Sequence, residues 1–297
     1  HPLSIRMPDR PINGIAMQKI FDELAVAVGP FQLFTGDNIE ALYRTDLAGQ
    51  VHVRPLCVVR PSSTEEVAAV MRAAHQHGIP VTTQGGRTGA VGGAIADDKS
   101  SVLSLERMNA IEELDAVSMT MTVGAGALLQ VIQEAAEREG LFLPLDIGSR
   151  GTAAIGGVIS SNAGGLRAIR WGVAREMVLG LEAVLADGTI VGGLKKTVKD
   201  NAGYDWKHLM IGSEGTLGVV TRATLRLRPM PTSAMTALAA LTKFEDVFRL
   251  LRELDCGLGG QLTSFEVMWR DFYELVTETN RSKRLPPLPS EYDVYVL

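Results

Sequence analysis

A glycine-rich segment follows a predicted strand at residues 81–93, with the sequence VTTQGGRTGAVGG. Glycines lose more backbone entropy on folding than other residues, so a tight turn, a close chain contact or a bound ligand should compensate for them. Because glycine has no β-carbon, backbone N–H groups of such a loop can converge on phosphate oxygens, and the Thr88 hydroxyl adds a donor. Taken alone, the segment is equally compatible with a flexible surface loop.

Two further segments share this character. They span residues 144–172 (PLDIGSRGTAAIGGVISSNAGGLRAIRWG) and residues 199–221 (KDNAGYDWKHLMIGSEGTLGVVT). The first of them is rich enough in Ile, Val and Ala to be buried, and buried irregular backbone needs hydrogen-bond partners. One extended polar ligand, contacted by all three loops, explains this recurrence better than three unrelated loops do.

The common nucleotide fingerprints are absent. Gly124 and Gly126 follow a predicted strand, but Leu129 stands where the dinucleotide motif has its third glycine, and no GxxxxGK[ST] P-loop occurs. A nicotinamide-dependent enzyme is therefore a distant alternative.

Composition excludes several classes of function. A net charge of −5 argues against a nucleic-acid partner, and no apolar run reaches the roughly 20 residues that span a bilayer. Cys57 and Cys256 give neither a disulfide framework nor a metal-binding pattern, so we expect a reducing, cytoplasmic location.

Strand and helix signals alternate from residue 56 onward. A strand at 56–61, a helix with a capping box from Ser63 to Glu66 and a strand at 79–83 deliver the chain into the first glycine loop. A second strand–helix–strand unit is predicted over 118–148, and a hairpin turning at Asp187–Gly188 follows it. Composition and periodicity change at 229–231, which indicates a domain boundary. The chain stops within a last apolar strand, where a natural domain seldom ends because an unpaired edge strand is a liability.

The three segments, in this order, resemble the FAD-binding domain of the vanillyl-alcohol oxidase/PCMH flavoprotein superfamily. Within it, GLRAIRWG, VLGLEAVLADGT and KDNAGYDWKHLMIGSEGTLG are most similar to the FAD-dependent D-2-hydroxyacid dehydrogenases, in particular the D-2-hydroxyglutarate dehydrogenase branch. The resemblance covers roughly residues 45–297. It implies an α+β fold, with a PCMH-type FAD-binding domain of two α/β subdomains at 46–230. An N-terminal lead segment and helix at 1–45 would precede this domain, and the beginning of an α+β cap (substrate) domain, apparently truncated, would occupy 231–297.

The resemblance also implies the residues that contact FAD. The diphosphate loop would comprise Gly85, Gly86, Arg87, Thr88 and Gly89. The flavin and ribityl side would be lined by Pro144, Asp146, Gly148, Ser149, Thr152, Gly156, Gly157, Ser161, Asn162 and Gly165, and the adenine half by Glu214 and Val219. Arg87 departs from the Gly or Asn usual at its position, and we expect it to alter loop stiffness rather than abolish binding. A Gly86→Val change is expected to block the approach of the diphosphate.

Some superfamily members attach FAD covalently through His or Cys. Neither residue occurs in 81–93 or 144–172, so non-covalent FAD is expected. The five histidines do not match the family's catalytic and metal-binding motif, and His208 is expected to be structural. The catalytic residues, and a divalent metal such as zinc, would therefore follow residue 297, and this chain alone would be inactive.

The implied activity is oxidation of a D-2-hydroxyacid, with D-2-hydroxyglutarate as the first choice and D-lactate or glycolate as alternatives. A quinone, a dye or an electron-transfer flavoprotein would accept the electrons, and a homodimer is possible. A non-catalytic flavin-binding module is the alternative from another class.

Overall fold

The computed structural model describes residues 14–45, 47–278 and 285–297. The first 13 residues of the expected lead segment lie outside this range. The elements of the first part are α1 (Gly14–Val28), β1 (Leu33–Thr35), β2 (Cys57–Val59), α2 (Thr64–His77), β3 (Val81–Gln84) and β4 (Ser101–Ser104). The second part contains β5 (Ile111–Asp115), β6 (Thr120–Gly124), α3 (Leu129–Arg138), β7 (Leu141–Phe142), α4 (Ile155–Ser160), α5 (Ala168–Trp171), α6 (Ala174–Met177), β8 (Val178–Val184), β9 (Ile190–Gly193), α7 (Lys207–Met210), β10 (Val219–Arg226) and β11 (Arg228–Pro229). The last part contains β12 (Ala239–Leu241), α8 (Glu245–Gly257), β13 (Val267–Trp269), α9 (Arg270–Glu278) and β14 (Val294–Val296).

The first sheet has the strand order β1-β2-β4-β3, with β2, β4 and β3 parallel. The predicted crossover helix is α2, whose first turn is capped by the Ser63 hydroxyl accepting from the Glu66 N–H at 3.2 Å. Gly78 ends this helix in the left-handed conformation (φ 65°). The sequence predicts no strand at Ser101–Ser104, yet β4 lies between the two strands of the predicted unit.

The second sheet is antiparallel throughout, in the order β5-β6-β10-β8-β9. The predicted hairpin forms β8 and β9, and the Asp187 carboxylate accepts from the Thr189 N–H at 2.9 Å in its turn. The predicted second strand–helix–strand unit forms β6, α3 and β7. Its two strands lie in different sheets, because β7 pairs with β11 rather than joining the sheet of β6. Local periodicity specifies a strand but not its partner.

One hydrophobic core, the cluster that contains residues of both, joins the two sheets. It contains Val59 and Leu103 of the first sheet, Val123 and Ala223 of the second, and Val67 of α2. These side chains are fully buried, and α2 contacts both β8 and β10. The α+β architecture of two subdomains is therefore one continuous packing unit, with the first glycine loop at the carboxyl ends of parallel strands.

The C-terminal elements form a separate small sheet, in the order β12-β14-β13. Val294 and Val296 pack with Val247 of α8 in a hydrophobic cluster of their own, and Tyr295 stacks on Tyr273 of α9 at 3.8 Å between ring centroids. The last strand, β14, is the central strand of this sheet. Its unbroken apolar sequence fits burial on both faces.

Candidate functional site

The first glycine loop leaves the end of β3 at a buried glutamine. The Gln84 side-chain amide donates to the Tyr43 carbonyl at 2.8 Å and to the Ala94 carbonyl at 2.7 Å. Because Ala94 lies at the far end of the loop, this side chain holds both loop ends together. A β-carbon on Gly86 would lie 1.8 Å from the Thr152 carbonyl oxygen. Gly86 is therefore required for contact with the second loop, so a Gly86→Val change would disrupt protein packing first. The sequence-based expectation that the Gly86→Val side chain acts by blocking the diphosphate is corrected, because the side chain would first clash with the Thr152 carbonyl.

Arg87 adopts the left-handed backbone conformation, with φ 56°. This explains why Gly or Asn suits its position, since other residues pay roughly 1–2 kcal/mol there. Its guanidinium donates to the Gly85 carbonyl at 3.4 Å and lies 5.6 Å from the Tyr43 ring centroid. The side chain thus braces its own loop.

Tyr43 is held in place by Glu106 and Arg60. Its hydroxyl donates to Glu106 at 2.7 Å, and Arg60 pairs with the same carboxylate at 2.9 Å. Burial, followed by the bond to Glu106, raises the pKa of Tyr43 above its ordinary value. The phenol beneath Arg87 is therefore neutral at physiological pH, and the ring is a rigid platform.

The second loop contains two adjacent glycines with different surroundings. The Gly156 N–H donates to the Ala125 carbonyl at 2.7 Å, and a β-carbon on Gly156 would lie 2.7 Å from the Ala125 β-carbon. A β-carbon on Gly157 would meet nothing within 4 Å. Gly156 is therefore dictated by chain packing, whereas Gly157 leaves open space.

The third loop is bonded to the end of α4. The Glu214 N–H donates to the Ser160 carbonyl at 2.8 Å, and the Gly212 N–H donates to the Ile159 carbonyl at 3.2 Å. Glu214 has a left-handed backbone (φ 52°). The second and third loops consequently form one wall.

Arg175 links these two loops from the side. Its guanidinium donates to the Ile211 carbonyl at 2.6 Å and to the His208 carbonyl at 2.8 Å, and its Nη1 lies 3.0 Å from His208 Nδ1. Its backbone N–H donates to the Asn162 side chain at 3.0 Å. His208, also 3.2 Å from Asp205, lies in this bracing network.

The three loops enclose a cavity of about 360 Å³. Its wall contains these predicted residues: Gly85, Gly86, Arg87, Thr88, Gly89, Ser149, Gly156, Gly157, Ser161, Glu214 and Val219. Gly89, Gly93, Gly157 and Gly215 of the wall leave open space where a β-carbon would be. Arg87 and Glu214 are the charged residues among those lining the cavity, so backbone, hydroxyl and apolar groups dominate the wall.

The other predicted residues lie outside the cavity wall. Pro144 is buried, Gly148 is exposed, and Thr152 donates to the Ser149 carbonyl at 3.2 Å. A β-carbon on Gly165 would lie 2.0 Å from the Asp146 carbonyl oxygen, and the Asp146 carboxylate pairs with Arg167 at 3.2 Å. Asn162, with φ 47°, holds the Arg175 N–H as described.

Sequence reasoning missed part of the wall. The missed residues are Thr83, Val91, Gly93, Ala94, Leu105, Ile147, Ala154, Val158, Ser160, Ala163, Gly215, Gly218 and Val220. Gly93, Gly215 and Gly218 belong to the quoted glycine segments and could have been selected there. Leu105 follows β4 and carries no sequence signal, because only the tertiary fold brings it to the cavity.

The histidines and carboxylates do not assemble a metal site in the described part of the chain. No group of three or more His, Cys, Asp or Glu is placed there to hold a metal ion. His77 lies 2.7 Å from Glu23, and His75 is exposed.

In the described part of the chain, no helix combines the length and the apolar character needed to cross a membrane.

Residues 55–192 match the family described as FAD binding domain. These residues form an FAD-binding domain of the vanillyl-alcohol oxidase/PCMH flavoprotein superfamily, and the predicted resemblance and fold class are confirmed. Among solved structures, alkyldihydroxyacetonephosphate synthase superposes with a TM-score of 0.76 at 20% identity, covering 99% of this chain and 58% of that one. At this identity the likeness concerns the fold alone.

Curated dehydrogenases have higher sequence identity to this chain. D-2-hydroxyglutarate dehydrogenase of Xanthomonas citri pv. viticola is 44% identical over 212 residues, which are 71% of this chain and 44% of that protein. The mitochondrial D-2-hydroxyglutarate dehydrogenase of Bos taurus is 41% identical over 83% of this chain and 48% of its own length. D-lactate dehydrogenase of Archaeoglobus fulgidus is 48% identical over 58% of this chain and 38% of its own length. The chain thus spans about half the length of the curated relatives it matches.

The cavity fits FAD by the chemistry of its wall. Open glycine positions allow a diphosphate to approach backbone N–H groups closely, and Thr88, Ser149 and Ser161 add hydroxyl donors. A mostly apolar remainder suits aromatic ring systems.

Proposed function

We propose that this chain is the cofactor-binding part of an FAD-dependent dehydrogenase that oxidises a D-2-hydroxyacid, with D-2-hydroxyglutarate as the favoured substrate. The observation that carries the proposal is the cavity formed by three glycine loops, in a chain 44% identical to a protein named D-2-hydroxyglutarate dehydrogenase. When bound, FAD would supply the acceptor for a hydride from the substrate α-carbon.

The residues of this chain would hold the cofactor in three groups. Gly85–Gly89 would surround the diphosphate with backbone donors, while Ser149, Gly157 and Ser161 would face the ribityl and flavin part. Glu214 and Val219 would contact the adenine half. The residues behind these, such as Asp146, Thr152 and Asn162, would act by fixing loop geometry rather than by contact.

Non-covalent attachment is part of the proposal. The residues that line the cavity in the described chain include neither His nor Cys, so the wall offers none of the side chains to which the superfamily couples flavin. An acid-precipitated or heated sample should therefore release free flavin.

The substrate-activating groups are proposed to follow residue 297, with any divalent metal. Oxidation of a hydroxyacid needs a base for the hydroxyl proton and cations for the carboxylate. The relatives are about twice as long as the matched region, which leaves room for such groups. Residues 231–297 would begin the substrate domain. In support, Phe244 and Phe248 at the start of α8 and Trp269 of β13 are exposed beside one another, a surface suited to further packing.

D-Lactate is the second candidate substrate. The Archaeoglobus relative named D-lactate dehydrogenase has the higher identity, although over a shorter region. The electron acceptor would be a quinone, a dye or an electron-transfer flavoprotein. A cytoplasmic location and a homodimer stay predictions, and the bovine relative is named mitochondrial.

A visible absorption spectrum of the purified protein tests the cofactor proposal. Flavin bands should accompany the protein, and heating should release FAD into the supernatant. Colourless protein that also fails to bind added FAD would overturn the proposal.

Turnover with a dye acceptor tests the reaction separately. D-2-Hydroxyglutarate and D-lactate should each be tested as substrates. Both substrates should be given to this 297-residue chain and to a longer protein that contains it and matches its relatives in length. Clear turnover by the shorter chain would show that the catalytic groups lie within it.

A further inference from the structure

A cluster of arginines surrounds two aromatic rings outside the cavity wall. The Arg170 guanidinium carbon lies 4.5 Å from the Trp171 ring centroid, and that of Arg228 lies 5.4 Å from the same centroid. Arg167 lies 4.8 Å from the Phe142 ring centroid, and the two rings meet edge to face at 6.4 Å. Three guanidiniums therefore lie over these two rings.

The positive charge of this cluster is only partly balanced. Asp146 pairs with Arg167 at 3.2 Å. Across the described residues, no carboxylate lies within ion-pair distance (4.0 Å) of Arg170, Arg226 or Arg228. Burial, and then the neighbouring Arg226, lower the pKa of Arg228, as expected for a desolvated cation beside another cation. The protein as a whole carries a net charge of −5, so this concentration of arginine is local.

Such a cluster has the chemistry of a carboxylate receptor. Stacked guanidiniums are weakly hydrated and keep their N–H groups free for bidentate contact with carboxylates. Since Arg170 and Arg228 stack on one indole ring, their guanidinium carbons are at most about 10 Å apart. A short diacid can bridge that separation with one carboxylate for each guanidinium.

We propose that Arg170 and Arg228, ordered by Trp171, bind a small dicarboxylic acid at the surface beside the cavity. Arg167 and Arg226 add positive potential, and Asp146 connects the cluster to the cavity, because the next residue, Ile147, lines its wall. The site would raise the local concentration of dicarboxylates. This proposal rests on the arginine geometry and does not depend on FAD binding.

Fluorescence of Trp171 provides the test. Replacing the other tryptophans, Trp206→Phe and Trp269→Phe, leaves Trp171 as the single reporter. Glutarate is titrated at constant ionic strength with and without FAD, which separates this result from that of the cofactor proposal. We expect a saturable change, with at least tenfold weaker binding in Arg170→Gln and Arg228→Gln.

The controls distinguish the proposal from its alternatives. The Arg249→Gln variant removes an arginine whose side chain is 79% exposed and lies in the C-terminal unit. This variant should bind glutarate as the unchanged protein does. Arg170→Lys keeps the charge but not the planar fork, and should bind more weakly while remaining folded by circular dichroism. An equal response to chloride would overturn the proposal. So would binding of a hexaglutamate peptide without binding of glutarate, since that would indicate a protein partner.

Discussion

At the scale of single residues, the glycines of the three loops serve two different purposes. Gly86 and Gly156 are needed because protein atoms occupy the space of a β-carbon, at 1.8 and 2.7 Å. Gly157 and Gly89 have no protein atom within 4 Å of that position, although both line the cavity. The first pair is required for folding of the loops, and the second pair leaves room for a ligand.

Gly86→Ala and Gly157→Ala should therefore differ. Gly86→Ala forces the two loops apart, and we expect it to destabilise the protein by about 1–3 kcal/mol and to abolish FAD binding. Gly157→Ala lies in α4, where alanine is favoured by about 1 kcal/mol, so its unfolding midpoint should stay or rise. Its FAD affinity should nevertheless fall about tenfold. Thermal unfolding and flavin fluorescence titration measure both effects. Unchanged affinity in Gly157→Ala would argue against close backbone contact.

Arg87 offers a second residue-scale prediction. Arg87→Gly removes left-handed strain and a ring contact together, so FAD affinity should change by no more than about threefold. Arg87→Ala retains the strain, roughly 1–2 kcal/mol, without the brace and should be the less stable variant. The comparison uses the same titration and melting measurements. A large loss of affinity in a well-folded Arg87→Gly protein would mean that the guanidinium contacts the ligand.

At the scale of elements, the second and third loops form a unit braced by Arg175 between α6 and α7. The guanidinium satisfies carbonyls at 2.6 and 2.8 Å that no regular secondary structure pairs. The Ile211 carbonyl lies in a part-buried contact, and a buried carbonyl left without a partner costs about 1–3 kcal/mol. The loop geometry thus depends on a side chain outside the cavity wall.

Arg175→Leu should loosen this unit without touching the ligand. We expect faster hydrogen exchange at the amides of Gly212 and Glu214, and FAD affinity about tenfold lower, while α2 retains its protection. Mass-spectrometric hydrogen exchange of this variant and of Arg150→Gln gives a matched comparison, because Arg150 is an exposed residue of the second loop. If both variants exchange alike, Arg175 is not the brace.

At the scale of the whole molecule, the cavity lies between two sheets that share one hydrophobic core, and the C-terminal sheet has a cluster of its own. A ligand in the cavity should consequently stabilise the first unit and have little effect on the second. This separation follows from packing, because Val247, Val294 and Val296 do not join the larger core.

Removal of FAD should show this separation in calorimetry. At a free concentration of about 100 times Kd, FAD should add about 2.7 kcal/mol, or roughly 5–10 °C, to the main transition. A transition of the C-terminal unit should not move. Riboflavin, which lacks the diphosphate and adenine, should stabilise much less. Equal shifts with riboflavin and FAD would contradict the diphosphate role of Gly85–Gly89.

The sequence by itself determined the local elements and the ligand class. Ser63 and Gly78 delimit α2, Asp187–Gly188 makes the hairpin, and the glycine segments predicted an FAD-type cavity whose family the comparisons confirm. The helix and the hairpin depend on neighbouring residues, so they can be deduced from spacing alone, whereas FAD as the ligand was implied by the family resemblance of the glycine segments.

Only the tertiary structure decided the long-range pairings. In the folded chain, β4 lies between β2 and β3, β7 pairs with β11, and β14 is the central strand of its sheet. The tertiary structure also brought Leu105 to the cavity and placed Arg170 and Arg228 over the same indole ring. It further showed that Gly86 is needed for protein packing, whereas Gly157 leaves open space. The physical reason is that each of these facts depends on contacts between residues distant in the chain, which local propensity does not specify.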